Sequence, residues 1–173
     1  MLLYYAHRTS LSRHPAYTII ELLIVIATLA IIVLLAVPTH TIVDQTRVTE
    51  AGRLLIADLD GARLRSMGCA ADPCVVVLEA SGTSYFVARA TDPTTPLADP
   101  TSGRPWRRVL GDGEARHLGG ASVALSGNLL GSVSFTGLGR LVQDTDAIFT
   151  VSCNGKSLVI VTKAGTGESR VQP

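Results

Sequence analysis

Residues 16–37 read Ala16-Tyr17-Thr18-Ile19-Ile20-Glu21-Leu22 followed by LIVIATLAIIVLLAV, so that from Ile19 to Val37 an apolar run is broken only by Glu21 and Thr28. From Tyr17 to Val37 the stretch reaches roughly 31 Å as a helix, about the hydrocarbon thickness of a bilayer. It is read as a single membrane span. The preceding residues 1–16 (MLLYYAHRTSLSRHPA) carry Arg8 and Arg13 and no acid, and no comparable basic cluster follows Val37. The positive-inside rule therefore places the N-terminus in the cytoplasm and everything after residue 37 outside it. A secretory signal peptide is the competing reading. Its apolar core would be shorter and would end in a small-x-small site, whereas here Val37-Pro38-Thr39-His40 follows. Glu21 is the anomaly: a carboxylate at the start of an apolar run costs a few kcal/mol unless it meets a partner.

Composition agrees with a membrane-associated chain. Of 173 residues, 17% are charged and 47% hydrophobic, and the net charge is +1, so no global field draws the chain to nucleic acid or acidic lipid. Removing residues 1–16 takes away Arg8 and Arg13, which leaves thirteen basic residues against fourteen acidic. The length allows one domain with an appended segment and excludes a multidomain enzyme.

Beyond Pro38, which is placed to kink or locally melt the helix, apolar periodicity resumes. Val48, Ala51, Leu55, Leu59 and Ala62 recur at three- and four-residue spacing, with Arg47, Glu50, Asp58 and Arg65 largely off that stripe. Residues 38–67 thus read as an amphipathic continuation of the helix, stopping near Gly68. From residue 68 to 173 the texture is that of a β-rich head. Val75–Ala80 and Ser84–Arg89 flank Ser81-Gly82, and Ile148–Ser152 and Ser157–Thr162 flank Asn154-Gly155, the marks of two hairpins. Ser122–Leu125 and Ser132–Phe135 are weaker strands, and the proline-rich stretch 91–105 reads as a long exposed loop. The expected architecture is α+β: a long N-terminal transmembrane and amphipathic helix packed on a head of antiparallel strands.

The segment Ala16-Tyr17-Thr18-Ile19-Ile20-Glu21-Leu22 ahead of an apolar helix resembles the class III signal of type IV pilins and pseudopilins, with Ala16 in place of the usual Gly and Tyr17 in place of Phe. Phe135-Thr136-Gly137-Leu138-Gly139-Arg140 followed by hairpin strands is similar to the C-terminal half of the GspH/FimT group of minor subunits. The resemblance implies a leader, residues 1–16, cut by a prepilin peptidase between Ala16 and Tyr17, and N-methylation of Tyr17. It also implies that Glu21 pairs with the terminal amine of a neighbouring subunit during assembly on an inner-membrane platform. The chain would then be a single-pass protein of the bacterial inner membrane, its head periplasmic, in contact with lipid and with other pilin or pseudopilin subunits of a type II secretion or type IV pilus filament. The alternative within the group is a FimT-like minor pilin that captures DNA.

Arg104, Arg107 and Arg108 around Trp106, together with Arg170 near the C-terminus, are the candidate nucleic-acid contacts, and the nearby acids Asp99, Asp112 and Glu114 argue for a solvated loop instead. Cys69 and Cys74 could close a small disulfide loop outside the cytoplasm; pairing of either with Cys153, and free thiols, remain open. Gly137-Leu138-Gly139 lacks the rest of a dinucleotide fingerprint and reads as a turn. No catalytic constellation, metal site or cofactor site is read, and the chain is taken not to be an enzyme.

Overall fold

A computed structural model describes residues 18–36, 40–126 and 131–172. The described residues form two units, one on each side of residue 38.

The first unit contains α1 (Ile19–Ala36). Its start is fixed by Thr18, whose carbonyl accepts from the Glu21 and Leu22 amides at 3.0 and 3.2 Å and whose Oγ1 accepts from the Glu21 amide at 3.3 Å. Thr18-x-x-Glu21 is the pattern of a capping box, with Glu21 in the first turn where the helix dipole favours a negative charge. Thr28 returns its hydroxyl to the Val25 carbonyl at 2.9 Å, so the one polar residue inside the run is satisfied within the helix. Among the described residues no helix is long and apolar enough to cross a membrane. The described helix has 18 residues, about 27 Å, while the expected span included Tyr17 and Val37, which lie outside the described residues, as do the leader and Pro38.

The second unit is built on α2 (His40–Gly68) and eight strands in two antiparallel sheets. The first sheet runs in the order β3 (Arg107–Val109), β2 (Ser84–Arg89), β1 (Cys74–Leu78), β5 (Ser132–Ser134). The second runs β4 (Ser122–Ser126), β6 (Ala147–Cys153), β7 (Lys156–Thr162), β8 (Ser169–Gln172). A 3-10 segment, Gly113–Leu118, links β3 to β4. Both expected hairpins form, with Val76 opposite Val87 in one and Phe149 opposite Ile160 in the other. The turn of the second places Asn154 at φ 47 and Gly155 at φ 80, the left-handed pair that a two-residue hairpin loop requires.

The core is where the helix stripe meets the two sheets. Val48, Leu55, Leu59 and Ala62 are fully buried and Ala51 nearly so, among Tyr85, Val87, Phe135, Phe149, Val151 and Ile160. Each large side chain buried there stabilises the head by about 1.5–3 kcal/mol before entropy is set against it. Beside Trp106 the helix comes close because Gly61 has no side chain. A Cβ on Gly61 would sit 2.9 Å from the Trp106 ring.

Three details add to the expectation. Residues 91–105 are the long, mostly exposed loop expected, but it is tied to the head: the Leu97 amide bonds the Val87 carbonyl at 2.8 Å, the Trp106 amide bonds the Leu97 carbonyl at 2.6 Å, and Asp99 is buried. β3 and β8 were not anticipated; each is short and is held as a sheet edge by its one paired neighbour. Asp58, read as lying off the apolar stripe, is buried beneath the first sheet.

Candidate functional site: the helix entry and the head surface

The helix entry combines a fixed backbone with a free charge. Thr18 determines where α1 begins, so the cut expected between Ala16 and Tyr17 falls one residue ahead of the capping position; both residues lie outside the described ones. Glu21 is exposed and its carboxylate has no hydrogen-bond or ion-pair partner among the described residues. From Ile19 to Leu34 the apolar side chains of α1 are exposed on every side, Ile19 by 81% and Leu34 by 80%. A helix apolar all round and uncovered requires lipid or other helices about it.

Of the basic residues around Trp106, Arg108 is drawn into the head. Trp106 is buried, and its Nε1 donates to Asp58 Oδ1 at 2.7 Å. Asp58 Oδ2 accepts from the Tyr85 hydroxyl at 2.8 Å and from Arg108 Nε at 3.1 Å. Arg108 extends the network through Nη2 to Asp99 at 2.8 Å and through Nη1 to Glu114 at 2.7 Å. Burial works against the Arg108 charge, but the carboxylates of Asp58 and Asp99 outweigh it and hold the guanidinium above its ordinary value. Burial first, and then the Asp58 carboxylate, push the Tyr85 phenol well above its usual range. Every donor nitrogen of Arg108 is thus engaged by a carboxylate, and Trp106 offers no exposed face for a base to stack on.

Arg107 pairs with Glu79 at 2.7 Å, and Arg170 makes two bonds to Glu168 Oε1, at 2.7 and 2.9 Å. Only Arg104, of the four arginines, has no ion pair among the described residues. It lies with Ser102 and Arg107 on a cleft of about 280 Å³ whose other lining includes Asp112 and Glu114.

The cysteines are free thiols. Cys69 is exposed just past α2. Cys74 begins β1, is buried, and donates its amide to Ser66 Oγ at 2.8 Å, with burial raising its thiol. Cys153 is buried far from both in sequence and lies 3.8 Å from Asp44 Oδ1, an oxygen that also accepts from Asn154 Nδ2 at 3.2 Å. Among the described residues no group of three or more His, Cys, Asp or Glu could hold a metal ion.

The Phe135–Arg140 motif is a structural corner. Phe135 is fully buried, and Gly139 adopts φ 75 with its backbone against the end of α2: a Cβ there would meet Met67 Sδ at 2.9 Å. Arg63 Nε donates to the Gly139 carbonyl at 3.2 Å. A side chain at Gly167 would run into that same backbone carbonyl, so Gly167 is required by close approach as well as by its positive φ, and Gly139 by its positive φ. Arg140 is exposed.

No protein-family model matches the chain, and no curated protein matches it in sequence. Solved structures do. The type IV minor pilin FimU of Pseudomonas aeruginosa (strain PAO1), in space group P21, superposes with a TM-score of 0.53 at 18% identity, covering 74% of this chain and 90% of that one. The chain has a pilin-like fold. A second crystal form of FimU, P65, gives a TM-score of 0.50 at 20% identity over 72% of this chain and 92% of that one. The minor pseudopilin EpsH of the Type 2 Secretion System of Vibrio cholerae gives 0.47 at 9% identity, covering 73% and 96%. The pilin-like architecture agrees with the expected α+β class, a helix packed on antiparallel sheets.

Proposed function

We propose that the chain is a minor pilin or pseudopilin subunit of a type II secretion or type IV pilus filament. The observation that carries this reading is a capped, uniformly apolar and exposed helix bearing a Glu21 without a partner among the described residues, in a chain of pilin-like fold.

In this reading a prepilin peptidase cuts after Ala16 and Tyr17 becomes the methylated terminus. Residues 17–37 hold the precursor in the bacterial inner membrane with the head in the periplasm. Glu21 then meets the terminal amine of the subunit beside it. A carboxylate and an ammonium, both poorly solvated at the membrane boundary, gain more from each other than from water, and the match sets the register between neighbouring helices. The capping pattern supports this role, because it fixes the Glu21 backbone one turn into the helix and leaves the carboxylate to a partner. The assembly platform would drive insertion, with the apolar surface of α1 passing from lipid to the filament interior.

The test is sedimentation of assembled filaments from cells expressing the chain with its partner subunits. Glu21→Val should leave the protein in the membrane and out of the pelleted filament. Incorporation equal to the unaltered chain would overturn the assembly role.

A further inference from the structure

The tip of the β6–β7 hairpin joins two features that bear on each other. Asn154 is the one non-glycine residue at positive φ among the described residues, and Gly155 follows it, also at positive φ. Both are exposed. Nothing lies within 4 Å of the place a Gly155 Cβ would occupy, and the Gly155 amide makes no hydrogen bond among the described residues. An unhindered backbone nitrogen thus stands next to a side-chain carboxamide.

That carboxamide is in use. Asn154 Nδ2 donates to Asp44 Oδ1 at 3.2 Å, so the tip of the second sheet holds the first turns of α2. Asp44 is buried, and its other neighbours are the Cys153 thiol at 3.8 Å and the Arg47 guanidinium at 3.6 Å. Of these donors Asn154 alone becomes an acceptor on hydrolysis.

We propose that Asn154-Gly155 is a site of spontaneous covalent modification, and that its conversion to a carboxylate releases the start of α2 from the second sheet.

The reaction needs only water. The Gly155 nitrogen attacks Asn154 Cγ; the N–Cγ bond forms, the Cγ–Nδ2 bond breaks, and Nδ2 leaves as ammonia with the proton given up by the Gly155 amide. Water then opens the cyclic imide at either carbonyl. One opening yields aspartate and the other isoaspartate, in which the main chain runs through the side-chain carbon.

Both products break the tie. The donor to Asp44 is lost, and a second carboxylate faces the first with one guanidinium, Arg47, between them. Isoaspartate also lengthens the turn between Cys153 and Lys156, which are paired across a two-residue loop. Ammonia departs, so the release runs one way. The chemistry is independent of the assembly the chain enters.

The full chain, in detergent, is aged at neutral pH in heavy-oxygen water and digested in ordinary water, which leaves later hydrolysis unlabelled. The label should appear at residue 154 as aspartate and isoaspartate. Asn128, the other asparagine, is followed by the bulky Leu129 and should stay unlabelled over the same time. Asn154→Asp, which makes one product directly, should lower the melting temperature by a few degrees, and Asp44→Asn should do the same. Together they exchange donor for acceptor and should recover most of the loss. A residue 154 without label, or labelling at Asn128 alone, overturns the modification site. An Asn154→Asp chain as stable as the unaltered one, or losses that simply add in the double variant, overturns the release of α2.

Discussion

Trp106 Nε1 lies 2.7 Å from Asp58 Oδ1, a bond that ties α2 to the first sheet across 48 residues of chain. The same carboxylate serves Tyr85 and Arg108, so three donors from two strands and their flank converge on one helix position. Asp58→Ala leaves a buried guanidinium, phenol and indole facing a void. A loss of about 3–5 kcal/mol is expected, the usual cost of removing one partner from a buried pair. Chemical denaturation followed by the emission of Trp106, the single tryptophan, measures it directly. Asp58→Asn, which keeps the shape and one acceptor, should cost less.

Two glycines of α2 should respond in opposite directions. At Gly61 a methyl would press on the Trp106 ring at 2.9 Å, whereas at Gly68 nothing lies within 4 Å. Gly61→Ala is expected to destabilise by about 1–3 kcal/mol through overpacking and to shift the tryptophan emission. Gly68→Ala should be neutral or mildly stabilising, because alanine costs less backbone entropy. Thermal melts of the two variants side by side decide the point.

Acid should loosen the head, with a sign that follows from the carboxylates. Asp72 is held below its usual value by the Arg89 guanidinium, Asp146 by Lys163, and Glu79 by the Ser84 hydroxyl. For Asp99, burial opposes ionisation and is outweighed by the Thr101 amide and by Arg108. Each of these groups binds its proton more readily when unfolded. Their stabilisation is therefore complete above about pH 4 and is lost as pH falls through the lowered folded values. Melting temperatures should hold nearly level from pH 7 to 5 and fall steadily below 4.

Asp60 runs the other way. Burial raises its carboxyl, with Arg63 opposing and Glu168 adding to the rise. Ionisation of Asp60 thus works against the fold, and the penalty disappears as pH drops through the unfolded value. Asp60→Asn should raise the melting temperature by a few degrees at pH 7 and by nothing at pH 3. An equal gain at both values would show that charge is not the cause.

Much of this architecture is written locally. The stripe Val48, Ala51, Leu55, Leu59, Ala62 is a matter of period, and Asn154-Gly155 specifies its own turn, so both appear in the structure as read. The capping pattern of Thr18 and Glu21 is equally local, three residues apart at the start of the apolar run. Asp58 was legible only as a polar residue off the stripe. Its burial depends on Tyr85, Trp106 and Arg108, from 27 to 50 residues away, and no local pattern announces them. For the same reason the particular partners of Arg107, Arg108 and Arg170 were not legible, although acids near the Trp106 cluster were. Their acidic partners Glu79 and Asp58 are distant in sequence, and even Glu168, two residues from Arg170, could be assigned only once β8 had set their geometry. The edge strands β3 and β8 are too short to carry a pattern and exist because a neighbour offers them hydrogen bonds. At the helix entry, Ala16 and Tyr17 rest on the signal resemblance alone.

Capping and assembly can be separated at that entry. Thr18→Ala removes the side-chain acceptor and should cost the helix start about 1 kcal/mol, with filament incorporation retained. Glu21→Gln keeps the length and hydrogen-bonding capacity of the side chain and loses only its charge. Its incorporation should fall at least tenfold if pairing with a terminal amine is what Glu21 supplies. Sedimentation of the two variants distinguishes a helix-capping residue from an assembly residue.

The central claim, that the chain enters a filament as a processed subunit, is tested most directly by the mass of its N-terminus after co-expression with a prepilin peptidase. The account predicts a mature protein beginning at methylated Tyr17. A chain still beginning at Met1, or cut beyond Pro38, would contradict it.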